Sequence, residues 1–364
     1  MKSTIALSNL GKESNVFNES DPDQRQSDFT MTLTPTTDLW LRLGRTWVTG
    51  TIGLDWIYYK TFASERAANS TYRVGVLRDV RRLALKGDVT RLSTRARPGF
   101  EIDARSQRLE LLAEGEATIR MFSKTRVGAR AWQRDVEFDQ AAVFRETNLA
   151  EELNRQNVGA VFVLRHDLTP LTTISLEVGR ERDRFVSSPF RDSNSTRAIG
   201  SVSLHPFALI SGNAAVGYRR FTPLTGDIPP YKGATAAVNL FYSILSTTRL
   251  GIGVTRDVQP SFEISQPYYL ETGVSSSIQQ QVYGGFDVLA RSSFRELAYR
   301  NRIGVGVSTT NRTDRVRSLG LGAGYRLGVD KRFGFTVDYE ERTSGDDGRQ
   351  YEGLRYGMSI TYET

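Results

Sequence analysis

The stretch that decides the fold is TWVTGTIGLDWIYYK, residues 46–60. From Val48 onward every second residue is Val, Gly, Ile, Leu, Trp or Tyr, whereas the residues between them include Thr49, Thr51 and Asp55. A β-strand turns successive side chains to opposite faces, so this alternation predicts a strand with one apolar and one polar face. The strand is longer than the five or six residues usual in globular sheets, and it suits a strand that crosses a membrane at a tilt.

The same alternation recurs along the whole chain, and the connections between the alternating segments fall into two kinds. Short connections are predicted near 43–46, 79–82, 121–125, 166–171, 206–211, 244–247, 287–292 and 328–332. Longer polar connections are predicted near 16–26, 61–70, 95–102, 137–153, 185–195, 222–231, 258–267, 309–316 and 343–350. This pattern predicts an all-β, transmembrane, antiparallel up-and-down β-barrel of about 18 strands, with 16 also compatible, built as one domain over residues 1–364.

Composition narrows the chemistry that the chain can perform. There is no cysteine, and only two histidines, His166 and His205, are present; both lie at predicted turns, where a turn role is favoured over catalysis. Seven of the 48 basic residues are lysines, which leaves 41 arginines, and the net charge is +7. This bias favours contact with anionic groups. We predict no enzymatic activity, no cofactor, no metal site and no nucleic-acid partner.

The glycine-rich segment LGLGAG, residues 319–324, superficially resembles a phosphate-binding loop. Its glycines alternate with Leu319, Leu321 and Ala323, and no helical pattern follows it. The glycines are therefore predicted to be inward positions of a strand.

Three parts of the sequence resemble a family of outer-membrane β-barrel porins found beside exopolysaccharide-synthesis genes. They are SNVFNES with SDFTMTLTP near the start, the long segment from VGYRRFTPLTGDIPPYKG to SQPYYLETGV, and NRTDRVRSLGLGAGYRL with VDYEERTSG near the end. The resemblance implies an outer-membrane location in a Gram-negative bacterium. The start of the sequence has no apolar secretory segment, so a leader is expected to have been removed or left out. The chain ends in ITYET, whereas such barrels typically end on an aromatic residue.

Charged residues dominate the predicted inward face, which is expected to border water because burying them in a solid core would be very costly. The predicted lumen-facing charges are Arg108, Glu110, Glu114, Glu116, Arg126, Arg130, Arg134, Glu177, Glu181, Arg302, Arg326, Asp338, Glu340 and Arg355. Facing positions of opposite sign are expected to pair across the strands.

The loop 137–153 contains helix-forming residues, and Phe144, Leu149 and Leu153 are spaced for one helix face. It is predicted to form either a constriction or part of the rim.

Several outward rows end in a cation on the longer-loop side. The predicted collar consists of Lys60, Arg91, Arg180, Arg220 and Arg256. A base at mid-bilayer costs about 2 to 4 kcal/mol, so these residues are expected at the membrane boundary, as snorkelling side chains or as a site for lipopolysaccharide phosphates. Outer-membrane lipids and lipopolysaccharide are the expected partners, with a polysaccharide or a small hydrophilic solute in the lumen.

The sequence favours an outer-membrane channel for passive passage of hydrophilic material. Within this class it leaves open a diffusion porin for small solutes and the exit pore of an exopolysaccharide secretion system. A closed-lumen structural or adhesion barrel is the alternative of a different class. A soluble β-rich carbohydrate-binding protein is less favoured. The oligomeric state does not follow from the sequence.

Overall fold

The structure is a computed structural model that describes residues 1–245, 247–304, 311–328 and 330–363. Its strands are β1 (Lys2–Glu13), β2 (Asp28–Leu43), β3 (Thr46–Tyr59), β4 (Ala67–Val80), β5 (Leu83–Ala96), β6 (Ser106–Arg120), β7 (Thr125–Phe138), β8 (Val143–Phe144), β9 (Thr147–Asn148), β10 (Arg155–Thr169), β11 (Thr172–Phe185), β12 (Ser193–Leu204), β13 (Ile210–Pro223), β14 (Tyr231–Ile244), β15 (Thr248–Pro260), β16 (Tyr268–Tyr283), β17 (Phe286–Arg300), β18 (Thr313–Leu327), β19 (Lys331–Thr343) and β20 (Tyr351–Glu363). The helices are α1 (Leu149–Leu153) and the 3-10 turns Pro22–Gln24, Ala63–Glu65, Pro189–Arg191 and Asp347–Arg349. None of these helices is long and apolar enough to cross a membrane.

Eighteen of the strands form one closed sheet, and the short β8 and β9 pair only with each other in a loop. Each strand of the large sheet runs antiparallel to its neighbours along the chain. The ring closes because β1 pairs with both β2 and β20. Closure leaves no unpaired sheet edge, which is the condition for a β-structure to lie in hydrocarbon. The prediction of a closed antiparallel barrel of about 18 strands is confirmed.

The exposure of alternate residues along β3 shows which face of the strand points outward. Ile52, Leu54 and Trp56 are exposed, whereas Tyr59, on the opposite phase, is 3% exposed. Other strands carry the same kind of exposed apolar row, among them β4 with Val74 and Val76 and β18 with Leu319 and Leu321. A band of this extent is the lipid-facing surface of a membrane barrel.

Between the described strands of the barrel, eight short turns alternate with nine longer connections, which defines a short-turn end and a long-loop end. Two predicted connections were wrong. The turn expected at 287–292 lies at Gly284 and Gly285, because Gly284 adopts the positive φ (54°) that a two-residue turn requires. The longer connection expected at 309–316 begins earlier, because β17 ends at Arg300, and the described start of the segment RIGVGVSTT, residues 302–304, is loop. Its residues 305–310 lie outside the described part of the chain.

The glycines of LGLGAG lie on the inward face of β18, as predicted, and the structure shows what they make room for. A Cβ on Gly320 would lie 2.6 Å from Nε of Arg291, and one on Gly324 would lie 2.6 Å from Cζ of Arg332. Arg291 on β17 reaches across β18 to Asp338 on β19 (Nη2–Oδ2 2.6 Å). Any side chain at Gly320 would occupy the path of this ion pair.

Most buried apolar residues lie at the long-loop end, whereas Val161 and Val163 on β10 are buried halfway along the wall. One group joins α1 to inward residues of β7 and to two loops: Ile102, Val136, Phe138, Leu149, Ala150, Leu153 and Phe262. Two further groups gather around Tyr268 and around Tyr299. The mouth of the barrel therefore contains a folded core built by its connections.

Candidate functional site

The strand register determines which predicted lumen residues share the inward face. Inward positions of the strands hold Arg108, Glu110, Glu114, Glu116, Arg126, Arg130, Arg134, Glu177, Glu181, Arg326, Asp338, Glu340 and Arg355. Arg302 is the exception. It lies in the connection after β17, where its Nε donates to Asp227 (2.7 Å), because β17 ends at Arg300.

Several inward ion pairs skip a strand. Glu116 on β6 lies directly opposite Arg130 on β7, yet its partner is Arg165 on β10 (Nη1–Oε1 2.5 Å). Arg130 pairs in turn with Glu177 on β11 (Nη2–Oε2 2.6 Å). The expectation that directly facing charges pair was therefore wrong here, because a guanidinium on its long stem spans two strand spacings, about 10 Å.

A cavity of about 280 Å³ opens into the lumen near the mouth, and its lining includes five arginines, four aromatic rings and three carboxylates. Trp132 stands at its wall, with the guanidinium of Arg197 4.7 Å from the ring centroid. Arg134 also lines it and has no hydrogen bond or ion pair within the described residues. Glu181 forms ion pairs with two of the neighbouring cations, Arg197 and Arg219. An anionic or hydroxyl-rich solute would find donors and a stacking surface here.

The loop 97–105 crosses the mouth of the barrel. It leaves the wall between β5 and β6, and the ring of Phe100 lies 3.9 Å from the guanidinium carbon of Arg295 on β17. Glu101 accepts hydrogen bonds from the Ser261 hydroxyl (2.5 Å) and from the backbone N–H of Phe262 (3.2 Å). The connection between β15 and β16 thus meets the loop from the far side of the ring.

Two fully buried arginines hold this meeting point together. Arg342 on β19 donates to Asp103 (Nη1–Oδ2 2.9 Å) and to Asp314 (Nη2–Oδ2 2.5 Å). Arg349 contacts Glu263 (3.0 Å) and donates to the backbone oxygen of Glu101. Buried charges require this kind of compensation, and the removal of one partner leaves the other uncompensated.

The loop 137–153 forms part of the same assembly. The hairpin of β8 and β9 is followed by α1, whose Asn148 cap accepts hydrogen bonds from the backbone N–H groups of residues 150 and 151. Arg191, in the next long connection, joins α1 to the β15–β16 connection, since it contacts Glu152 (2.8 Å) and the backbone oxygen of Ser261 (2.6 Å). We call the assembly of loops 97–105, 139–154, 186–192 and 261–267, with Arg342 and Arg349, the mouth plug.

Burial perturbs the carboxyl groups of the mouth plug. Desolvation raises the pKa of Glu101 to about 7, against the opposing influence of its hydrogen bond from Ser261 and the charge of Arg349. Desolvation also raises the pKa of Asp103, although Arg342 lowers it. At neutral pH the mouth plug therefore contains a carboxyl group poised between its two protonation states.

Sequence reasoning missed Glu101, Asp103, Asp314 and Arg349. One signal was present: the segment RPGFEIDAR, residues 97–105, places Phe100 and Ile102 in an otherwise polar connection. Apolar residues in a connection indicate that it packs against something. Which loop it would meet depends on the curvature of the closed ring, and strand patterns do not reveal that.

Four of the five predicted collar residues occupy outward positions of the strands. Arg91 pairs with Tyr72 and Leu111, Arg180 and Arg220 flank Thr196, and Arg256 lies opposite Ala236. Lys60 follows the last residue of β3 in the loop. Arg256 differs from the others because it is half-buried and donates to Thr272 (2.7 Å).

The histidines and acidic loop segments show no assembled metal site. His166 pairs through Nδ1 with the Thr125 hydroxyl (2.9 Å), and the His205 ring lies against Phe207. No group of three or more His, Cys, Asp or Glu residues in the described ranges is placed to hold a metal ion.

A closed 18-stranded barrel with an apolar outer band, a charged lumen and long connections at one end defines the class of outer-membrane β-barrel proteins. Within this class the chain belongs to the family described as "Putative beta-barrel porin 2", whose family profile matches residues 3–364. The family assignment and the resemblance inferred from the sequence agree, and this membership indicates an outer-membrane location.

Comparison with solved structures finds outer-membrane barrels at low sequence identity. The chain is similar to OccK3 (OpdO) of Pseudomonas aeruginosa, with 10% identity, a TM-score of 0.48 and coverage of 100% of this chain and 95% of that one. It is similar to OccK9 (OpdG) of the same organism, with 12% identity, a TM-score of 0.47 and coverage of 100% and 97%. A protein described as a bacterial polysaccharide outer membrane secretin matches with 10% identity, a TM-score of 0.37 and coverage of 100% and 98%. No curated protein matches the chain.

Proposed function

We propose that this protein is a gated outer-membrane channel for hydrophilic solutes, with the mouth plug as its gate. The observation that carries the proposal is the contact between Glu101 and Ser261, which joins connections from distant parts of the ring. The barrel wall is complete without these loops, because its hydrogen-bonded ladder closes through β1 and β20. The mouth plug can therefore open while the wall stays folded.

The lumen supports passage of polar material. An 18-stranded barrel is wide enough to hold an aqueous channel. Ion pairs such as Arg130–Glu177 line the wall, and the arginine-rich cavity beside Trp132 lies directly beneath the mouth plug. This lining favours hydrophilic solutes with anionic or hydroxyl groups. A secreted acidic polysaccharide is one such cargo, and it is the one that the resemblance to barrels found beside exopolysaccharide-synthesis genes favours.

Conductance in planar bilayers tests the proposal. The wild-type chain is compared with a variant in which residues 98–104 are replaced by a Gly-Ser segment of the same length. A matched control carries the same kind of replacement at 21–24, an exposed part of the β1–β2 connection. We expect brief, rare openings for wild type and control, and steady conductance for the 98–104 variant.

Heat-modifiable migration on a gel establishes that each variant retains the folded barrel. If the folded 98–104 variant fails to conduct, even when residues 139–153 are also replaced, the closed structural barrel is the correct account and the channel proposal is overturned.

A further inference from the structure

A group of unpaired cations lies on the outward face of β11, β13 and β14, at their long-loop ends. We call Arg180, Arg182, Arg220 and Lys232 the outer basic cluster. The register places Arg180 opposite Thr196, Thr196 opposite Arg220, and Arg220 opposite Lys232, so three cations share one row across four strands. Arg182 stands two residues along β11 from Arg180. All four side chains are exposed.

These cations differ from their inward neighbours in having no anion. On the inward face of the same strands, Arg197 and Arg219 pair with Glu181, and Arg219 also pairs with Asp257 (2.8 Å). Across the described residues no hydrogen bond or ion pair reaches any member of the outer basic cluster. Arg220 and Lys232 even face each other directly, and like charges opposite each other destabilise a sheet. An external anion would remove this repulsion.

A cleft lies between the cations, and its lining supplies further hydrogen-bond donors. Its volume is about 280 Å³, and it is bordered by Arg180, Arg182 and Arg220 together with the side chains of Asn194, Thr196 and Thr222. The spacing of adjacent strands places the first and third strands about 10 Å apart. Flexible arginine side chains at this spacing can converge on one tetrahedral anion, and the planar guanidinium fork binds two of its oxygens at once.

The position of the cleft indicates what carries the anion. Below Arg180 on β11 the outward row continues with Val178 and Leu176, and below Arg220 on β13 it continues with Tyr218 and Val216, all exposed. A molecule seated in the cleft would therefore have its anion at the cations and apolar chains against this row. This is the shape of a phosphorylated lipid, with its headgroup at the boundary of the hydrocarbon.

We propose that the outer basic cluster is a binding site for the phosphorylated headgroup of a glycolipid in the outer leaflet. The site lies outside the barrel, so it does not depend on whether the lumen conducts. It rests on the outward placement of the long-loop ends of β11 to β14 and on the outer-membrane location.

The test uses the full chain in detergent micelles that contain synthetic diphosphoryl lipid A, or the same lipid without its phosphates, and native mass spectrometry as the readout. Three proteins are compared: wild type, Arg180→Ser/Arg182→Ser/Arg220→Ser, and Arg91→Ser. Arg91 is a matched control because it is also outward, exposed and without a hydrogen bond or ion pair among the described residues, but lies apart on β5. The single variants Arg180→Ser and Arg220→Ser cover the case in which the triple variant does not fold.

We expect wild type and Arg91→Ser to retain diphosphoryl lipid A, and the triple variant to retain it at least about fivefold less, because several charge-assisted hydrogen bonds are lost. The lipid without phosphates should bind all three proteins weakly and equally. The proposal is overturned if the folded triple variant retains the lipid like wild type, or if wild type does not distinguish the two lipids. It is also overturned if inorganic phosphate binds as tightly as the lipid, since the site would then take a free anion.

Discussion

Glu101 and Ser261 share a 2.5 Å hydrogen bond although the connections that carry them are separated by eight strands of the ring in one direction and ten in the other. The bond therefore runs across the mouth of the barrel and not along its wall. Around it Arg342 and Arg349 are fully buried, and each pairs with a carboxylate, Asp314 or Glu263.

The first prediction concerns pH. The pKa of Glu101 is about 7 in the folded mouth plug, against 4.5 for a freely solvated glutamate, so folding favours the protonated form. The contribution of Glu101 is fully present below about pH 4.5 and is lost as the pH rises through about 7, a loss of about 3 kcal/mol. Arg349 and Glu263 are the charges that influence it most.

Glu101→Gln keeps the hydrogen-bond acceptor and removes the titration. Amide hydrogen exchange in 261–267 should rise in wild type relative to the variant between about pH 5 and about pH 8. A constant ratio of wild-type to variant exchange over that range would contradict the raised pKa.

The second prediction concerns a buried cation. Arg342→Met leaves Asp314 and Asp103 without their main partner, and the loss of one member of a buried pair costs about 3 to 5 kcal/mol. Loop 97–105 should exchange its amide hydrogens much faster in this variant. Arg145→Ala is the control, because its ion pair with Asp346 is exposed at the rim and is worth about 1 kcal/mol or less. Equal protection of the loop in both variants would show that Arg342 does not hold the mouth plug.

The third prediction concerns ion selectivity, measured in the variant with residues 98–104 replaced. Changing Arg126, Arg130 and Arg134 together to serine removes three inward positive charges, and the ratio of anion to cation permeability should fall by about twofold or more. The matched variant Arg130→Ser/Glu177→Ser removes an ion pair of zero net charge and should leave the reversal potential unchanged. An unchanged reversal potential in the triple variant would place the selectivity outside this part of the wall.

The fourth prediction concerns the inward glycines of β18. Gly320→Ala and Gly324→Ala each place a methyl group in the path of an ion pair, Arg291–Asp338 or Arg332–Asp287. The side chains must move, at a cost of about 1 to 3 kcal/mol, so the gel band should convert to the unfolded form at a lower temperature. Gly115→Ala is the control, since a Cβ there has nothing within 4 Å. If the gel bands of all three variants convert to the unfolded form at the wild-type temperature, the inward glycines are not needed to leave room for these ion pairs.

The fold followed from the sequence to a large extent because a membrane barrel repeats one rule: apolar outside, polar inside, with turn residues at the ends. The segment 46–60 alone shows this alternation. The wrong predictions fall at strand ends and in connections, where the alternation no longer applies. RIGVGVSTT alternates like a strand, yet its first residues are loop because Arg302 and Ile303 bind Asp227, a contact between distant loops.

The site could be predicted only in part, for the same physical reason. The inward phase of Arg130 follows from alternation, but its partner Glu177 is two strands away and depends on side-chain reach. Glu101 and Arg342 are brought together by the closure of the ring, so neither local pattern nor spacing along the chain indicates their contact.

The ion pairs that skip a strand have a consequence for assembly. A one-residue slip between strands turns every side chain to the wrong face and is excluded by the apolar outer band. A slip by two residues leaves the apolar residues on the outer face and the polar residues on the inner face, so the hydrophobic effect does not disfavour it. Such a slip would shift Arg165 from Glu116, or Arg291 from Asp338, by about 7 Å and break the pair. These ion pairs therefore stabilise the correct register of the strand that they cross. They favour the native barrel over barrels with shifted registers whose outer surfaces are equally apolar.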